Sequence, residues 1–310
     1  MPRWSRTNLR SIIETTMEKL IECVPNFSEG KNKSTIKKIA DSIKRVKKVS
    51  VLDINSDPDH NRSVITFMGA PEQVIEAMFQ AAKTASKLID ISKHKGVHPR
   101  IGAADVIPLV PLKNVTTAEC IELAKILGMR IGKELKIPVY LYEKAATREH
   151  NRNLSNVRNI GFEKLKRLIT TDQKRSPDFG PKNLGKAGAS ALGVRNFLVA
   201  FNVNLKTEDL NIAKAIAKKI RERNGGFKHV KALGLNLKSK KCVQVSMNFI
   251  NYKKTPIFKV FKKIEQETKK LGIKILESEL IGMIPKDGFK NTSPQKLKLK
   301  GFSNKRFLPI

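Results

Sequence analysis

Apolar positions change period in a regular order along this chain. Leu20–Val24 is an apolar run interrupted once, by Glu22, and it reads as a strand. Ile36, Ile39, Ile43 and Val46 then recur at helical spacing behind a cap candidate, Ser34. Val49–Ile54 and Val64–Met68 read as strands on either side of the turn-rich Asn55-Ser56-Asp57-Pro58-Asp59. Pro71 sits in the first turn of a helix whose apolar face is Val74, Met78, Ala81, Ala85 and Leu88. With a further strand near Val106–Val110 the order is βαββαβ.

The second half repeats that order. Asn196–Val203 predicts a strand, Leu210–Arg221 a helix, Lys231–Leu237 and Cys242–Phe249 a strand pair, Ile257–Leu271 a helix and Ile273–Leu280 a strand. Between the halves lie a helix at Thr117–Leu135, a short strand at Val139–Tyr142, a helical piece and a polar, glycine-rich connection. Two such units predict an α+β chain with two antiparallel sheets, each backed by helices on one face, the ferredoxin-like arrangement. The expected divisions are a basic N-terminal extension over 1–16, a first subdomain over 17–190 and a second over 191–310. Residues 1–16 carry three arginines and the only tryptophan. They read as a short extension or the product of an upstream start codon, since Glu14 interrupts the acid-free stretch of a transit peptide. Lys296–Lys300 alternates at period two, a candidate edge strand guarded by lysines.

Composition narrows the class. The 310 residues are 40% apolar, enough for one large core or two moderate ones. The longest apolar stretches, such as Phe197–Phe201, fall far short of the ~20 residues that cross a bilayer. Cys23, Cys120 and Cys242 are widely separated and form no CxxC pair, which argues against a disulfide framework and fits a reducing, cytoplasmic setting. The net charge of +33 attracts polyanions, RNA among them. Yet the basic residues are spread along the chain, and the two strands that would stack bases, Ser63–Phe67 and Val243–Met247, hold one aromatic side chain between them. The sheet expectation stands and a nucleic-acid partner is not expected.

Chemistry-bearing residues gather in four segments. In Pro25–Gly30, Asn and Ser suit the capping of the following helix, while Asn26 lies at the mouth of the strand. In Asn55–Arg62, His60 reads as a solvated loop residue, and Arg62 opens a strand and offers a rigid fork to a carboxylate. His94–Asp105 is the densest segment. His94 and His98 have metal-ligand spacing on a helix, but Gly96 and Pro99 break a helix and no third ligand stands nearby, so no metal is expected. A histidine in such a loop titrates near neutrality and can act as a general base. Arg100 and Asp105 are placed to bind a substrate carboxylate and to orient an imidazole. Pro177–Gly188 is an irregular glycine-rich link without the GxxxxGK[ST] order of a phosphate loop.

At these segments the chain resembles the formiminotransferase family. Glu22-Cys23-Val24-Pro25-Asn26-Phe27-Ser28-Glu29-Gly30 is similar to the family's opening. Asn61-Arg62, His98-Pro99-Arg100-Ile101-Gly102, Pro138–Tyr142, Pro177–Pro181, Phe197–Asn202 and Gln244–Asn248 resemble further blocks. The resemblance implies transfer of a formimino group from N-formimino-L-glutamate to tetrahydrofolate, the co-substrate, in histidine breakdown. It implies two ferredoxin-like subdomains with a substrate tunnel between them, a homodimer, and His98 as the catalytic base. Folate contacts are implied at Gly180, Pro181, Lys182, Asn183, Leu184, Gly185, Lys186, Ala187 and Gly188, a stretch one residue shorter here than in animal members. Asn26, Arg62, Arg100 and Asp105 are the candidate substrate-binding residues. Asn55 stands where the mammalian sequence has aspartate. With Ile310 at its end the chain leaves no room for a cyclodeaminase part, so a separate cyclodeaminase protein is expected. A formyl donor, or a basic RNA-binding protein on the same scaffold, are the alternatives.

Overall fold

A computed structural model describes residues 19–96 and 99–309; the N-terminal extension and His98 lie outside the described residues. The first unit contains β1 (Leu20–Cys23), β2 (Asn26–Phe27), α1 (Lys33–Lys44), β3 (Val49–Asp57), β4 (Arg62–Gly69), α2 (Pro71–Leu88) and β5 (Ala104–Lys113). Helix α1 starts one residue before Ser34, because the Asn32 side chain accepts the Thr35 N–H at 3.0 Å and so caps the first turn. β3 runs on through Asn55–Asp57, since the reversal comes later. There the Asp57 carboxylate accepts the N–H groups of Asp59 and His60, each at 2.8 Å, and Asn61 takes a φ of 46°.

Beyond β5 come α3 (Thr117–Glu134), β6 (Val139–Glu143), α4 (Leu154–Arg158), α5 (Gly161–Leu168) and β7 (Ser190–Val194). A capping box between Thr116 and Glu119 fixes the start of α3. β7 is not among the predicted elements. It runs parallel between β5 and β6, so the first sheet, ordered β3-β4-β1/β2-β5-β7-β6, is mixed rather than antiparallel and extends to Val194. The second sheet is wholly antiparallel, ordered β11-β8-β10-β9, from β8 (Val199–Leu205), β9 (Val230–Leu237), β10 (Cys242–Phe249) and β11 (Ile275–Ile281). Its helices are α6 (Leu210–Ile220) and α7 (Ile257–Lys270). The described residues are therefore α+β, with a β-α-β-β-α-β order in each unit. Lys296–Lys300 does not form the expected edge strand. It turns, with Lys298 at φ 53°, and contributes one bridge from Leu299 to Ser278.

Strand alternation decides which side chains meet. On one face of the first sheet Ile21, Cys23, Ile65 and Phe67 pack with Ile39 of α1, Val74 and Met78 of α2 and Leu127 of α3. On the other face α4 and α5 cover only the β7–β6 side, where Phe162 and Leu165 pack with Tyr140 and Ala191. In the second sheet Phe201, Val203 and Val245 pack with Ile216 of α6 and Phe261 of α7. The remaining helix-free faces are turned toward one another. Arg306 links them, reaching Asp53 of β3 at 3.2 Å and the Leu280 carbonyl at 3.0 Å. The Asp59 carboxylate accepts the Ser239 hydroxyl at 2.6 Å. Gly282 lies so close to β4 that a Cβ there would stand 3.2 Å from Thr66 Oγ1.

Candidate active site

A single carboxylate organises the polar cluster at the start of β5. Asp105 is fully buried, and its Oδ1 accepts the Ile101 N–H at 2.8 Å. Its Oδ2 receives Arg158 Nη2 at 2.7 Å and Arg62 Nη1 at 3.2 Å. Arg62 also donates from Nε to Asn26 Oδ1 at 2.9 Å, and the Asn26 amide is oriented by donating to the Val24 carbonyl at 3.0 Å. Burial, followed by repulsion from Arg158, lowers the Arg62 pKa to about 9 against the pull of Asp105. Arg62 and Arg158 converge on this carboxylate, and guanidiniums offer the donor geometry that suits an anionic ligand.

The His94–Asp105 loop is held on both sides of residues 97–98. On the near side Asn61 accepts the Gly30 N–H at 3.0 Å and donates to the Lys95 carbonyl at 2.9 Å. Gly30 permits this approach, because a Cβ there would stand 2.1 Å from the Asp57 carbonyl oxygen. On the far side Arg158 donates to the Pro99 carbonyl, and Arg100 forks onto Glu163 at 2.6 and 3.3 Å. Arg100 Nε donates to His94 Nδ1 at 3.1 Å, so the ring carries its proton on Nε2 and gives it to the Asn61 carbonyl at 2.7 Å. Burial lowers the His94 pKa, so this histidine is a neutral structural strut. Its partners here are a guanidinium and a carbonyl. Among the described residues no group of three or more His, Cys, Asp or Glu side chains is arranged to hold a metal. His60, expected as a solvated loop residue, is half-buried, and burial lowers its pKa.

The glycine-rich link joins this loop through its C-terminal end. The Ala103 N–H donates to the Ala187 carbonyl at 2.8 Å, and the Ala189 N–H to that of Ile101 at 2.9 Å. A Cβ on Gly102 would stand 1.9 Å from the Ala189 oxygen, and Gly188 has a φ of 69°. Both positions demand glycine. Leu184 is buried with Ile91 and Ile101, while Lys182, Asn183, Gly185 and Lys186 are exposed beside them. Gly180 packs elsewhere, against Gly132 and Ile137 at the end of α3. Ser28 donates to the Gly102 carbonyl at 2.8 Å and thus ties the Pro25–Gly30 segment to the same loop rather than capping α1.

Asn26, Arg62 and Asp105 thus form one bonded cluster, with Arg100 anchored in the adjoining loop. Sequence reasoning missed Arg158 and Glu163. Both come from the helical piece after β6, and only the packing of α4 and α5 over the sheet brings them to the loop.

Comparison with known proteins agrees along nearly the whole chain. Residues 20–195 match the formiminotransferase domain, N-terminal subdomain, and residues 200–296 match the formiminotransferase domain. The chain is 46% identical over 291 residues to the glutamate formimidoyltransferase of Thermoplasma acidophilum, covering 93% of this chain and 96% of that protein. It is 43% identical over 288 residues to the glutamate formimidoyltransferase of Streptococcus pyogenes serotype M1, covering 92% and 96%. With the formimidoyltransferase-cyclodeaminase of Mus musculus it shares 40% identity over 276 residues, which is 87% of this chain and 51% of that longer protein.

Proposed function

The chain belongs to the formiminotransferase family, and from that premise we propose that it moves the formimino group of N-formimino-L-glutamate to tetrahydrofolate, giving 5-formiminotetrahydrofolate and L-glutamate. The observation that carries this reading is identity to glutamate formimidoyltransferases over nearly the full length of both chains. The folate N5 attacks the formimino carbon and a tetrahedral intermediate forms. His98 takes the proton from N5 and returns one to the departing glutamate nitrogen, so one near-neutral group serves both halves of the reaction. Arg62, with Arg158 beside it, and Arg100 receive the carboxylates of the donor. Asn26 and Asp105 hold Arg62 in place, and the bond from Asp105 to the Ile101 N–H fixes the loop after His98. The Gly180–Gly188 stretch contributes to the folate site, Ala187 and Gly188 lying against Ile101–Ala103. The two units act as ferredoxin-like subdomains that enclose the reactants between their sheets. A cytoplasmic homodimer, served by a separate cyclodeaminase, completes the reading.

Arg100 is engaged by Glu163, whose carboxylate is largely exposed and competes with the donor's own. Glu163→Gln is therefore expected to lower KM for formiminoglutamate, by up to roughly fivefold for an exposed ion pair. Steady-state kinetics with unchanged or raised KM would remove Arg100 from donor binding. The donor itself is identified by comparing N-formimino- with N-formyl-L-glutamate under the same conditions. Faster turnover of the formimino compound is expected, and faster turnover of the formyl compound overturns the reading.

A further inference from the structure

Glu22 takes no part in the cluster above, yet it is buried where a strand's polar side normally meets water. It lies on β1 opposite Met68 of β4 and Val110 of β5, on the helix-free face of the first sheet. It is 1% exposed, and its Oε2 has no hydrogen-bond partner among the described residues. Thr66 Oγ1 on the same face is equally buried and unpartnered there. Gln244, on the helix-free face of the second sheet, donates to Asn204 at 2.9 Å and Glu279 at 3.1 Å, but its buried Oε1 lacks a partner among the described residues. Native proteins keep few such atoms, because each costs ~1–3 kcal/mol. Three of them on two facing sheets, two being pure acceptors, ask for a ligand that brings donors.

We propose that Glu22 anchors the second reactant, its carboxylate accepting the two adjacent N–H groups on the 2-amino-4-oxopyrimidine edge of tetrahydrofolate between the facing sheets. This assignment rests on the formimino-transfer reading above. A carboxylate receives such an edge bidentately, as it receives a guanidinium. It repels the carboxylates of the glutamate donor, and the donor's N–H groups sit on the reacting carbon itself, so the edge of the heterocycle remote from N5 is its partner. Position agrees with the chemistry: Glu22 precedes Asn26 by four residues, ~13 Å along an extended chain. A ring held at Glu22 therefore extends its far side toward the Asn26–Arg62–Asp105 cluster and the His94–Asp105 loop. Burial already pushes the Glu22 pKa up to about 7, with Arg195 opposing, so the carboxylate gains most when donors arrive.

The test is binding of tetrahydrofolate and of its 2-desamino analogue by calorimetry, on wild-type protein and on Glu22→Gln. The expected result is a Kd for tetrahydrofolate raised roughly 10- to 100-fold by Glu22→Gln, with an unchanged or higher Tm. The 2-desamino analogue should bind wild-type protein comparably weakly and be indifferent to the substitution. A Kd within about twofold of wild type, or a rise confined to KM for formiminoglutamate, overturns the assignment. So does a 2-desamino analogue that binds wild-type protein as tightly as tetrahydrofolate, a comparison that needs no variant. Because binding is read without turnover, a chain that binds tetrahydrofolate through Glu22 but leaves formiminoglutamate untouched would retain this site and lose the proposed reaction.

Discussion

His98→Ala is expected to lower kcat by ~10²–10⁴-fold, the usual contribution of a positioned acid–base group. Turnover should fall while Tm and tetrahydrofolate affinity stay near those of the wild type. The loop is secured by other groups on both sides of residues 97–98. Asn61 holds the Lys95 carbonyl before it, Arg158 holds the Pro99 carbonyl after it, and Asp105 holds the Ile101 N–H. Nor can His94 replace it, since its Nδ1 is occupied by Arg100 and its Nε2 proton by the Asn61 carbonyl. A variant that retains most of its kcat would place the base elsewhere. One that loses kcat and fold together would make His98 structural.

Asp105→Asn should have the largest effect on stability. The amide keeps the shape but removes the charge that holds Arg62 and Arg158. Breaking a buried ion pair by removing one partner costs ~3–5 kcal/mol, because the remaining charge stays buried and uncompensated. Here Asp105 engages two guanidiniums, with side chains 14% and 10% exposed. In a chain of this size the loss corresponds to a fall in Tm of roughly 5–15 °C. Arg158→Met added to Asp105→Asn removes one of the two cations that Asp105 engages, so the double variant should recover part of the loss. A Tm within about 2 °C of wild type for the single variant would mean that water reaches the cluster and screens it.

The pattern of elements was legible because each element's apolar period is strong. Ile36–Val46 and Val74–Leu88 announce helices, and Val243–Phe249 announces a strand wherever it packs. β7 was not legible, since Ser190-Ala-Leu-Gly-Val194 is five residues with small members inside, following a glycine-rich link. It becomes a strand because β5 and β6 flank it on both sides. The His94–Asp105 loop stood out through its density of His, Arg, Gly and Asp. Arg158 and Glu163 could not, because their sequence context is an ordinary polar helical surface and only tertiary packing aims them.

What covers the outward faces was not legible for a related reason. In Leu20-Ile21-Glu22-Cys23 the alternation marks Glu22 as the outward residue, and outward ordinarily means solvent. In this chain the outward face of one sheet meets the outward face of the other. Glu22, Thr66 and Gln244 are polar by pattern and buried by architecture. Periodicity reports which side of a strand a residue takes, not what lies across from it.

Formimino transfer is tested most directly by following free L-glutamate from N-formimino-L-glutamate with purified protein, with and without tetrahydrofolate. The account predicts glutamate release that depends on tetrahydrofolate and matches, mole for mole, the 5-formiminotetrahydrofolate formed. Glutamate released equally well without tetrahydrofolate would mean hydrolysis, and no release from folded protein would mean another donor; either result contradicts it.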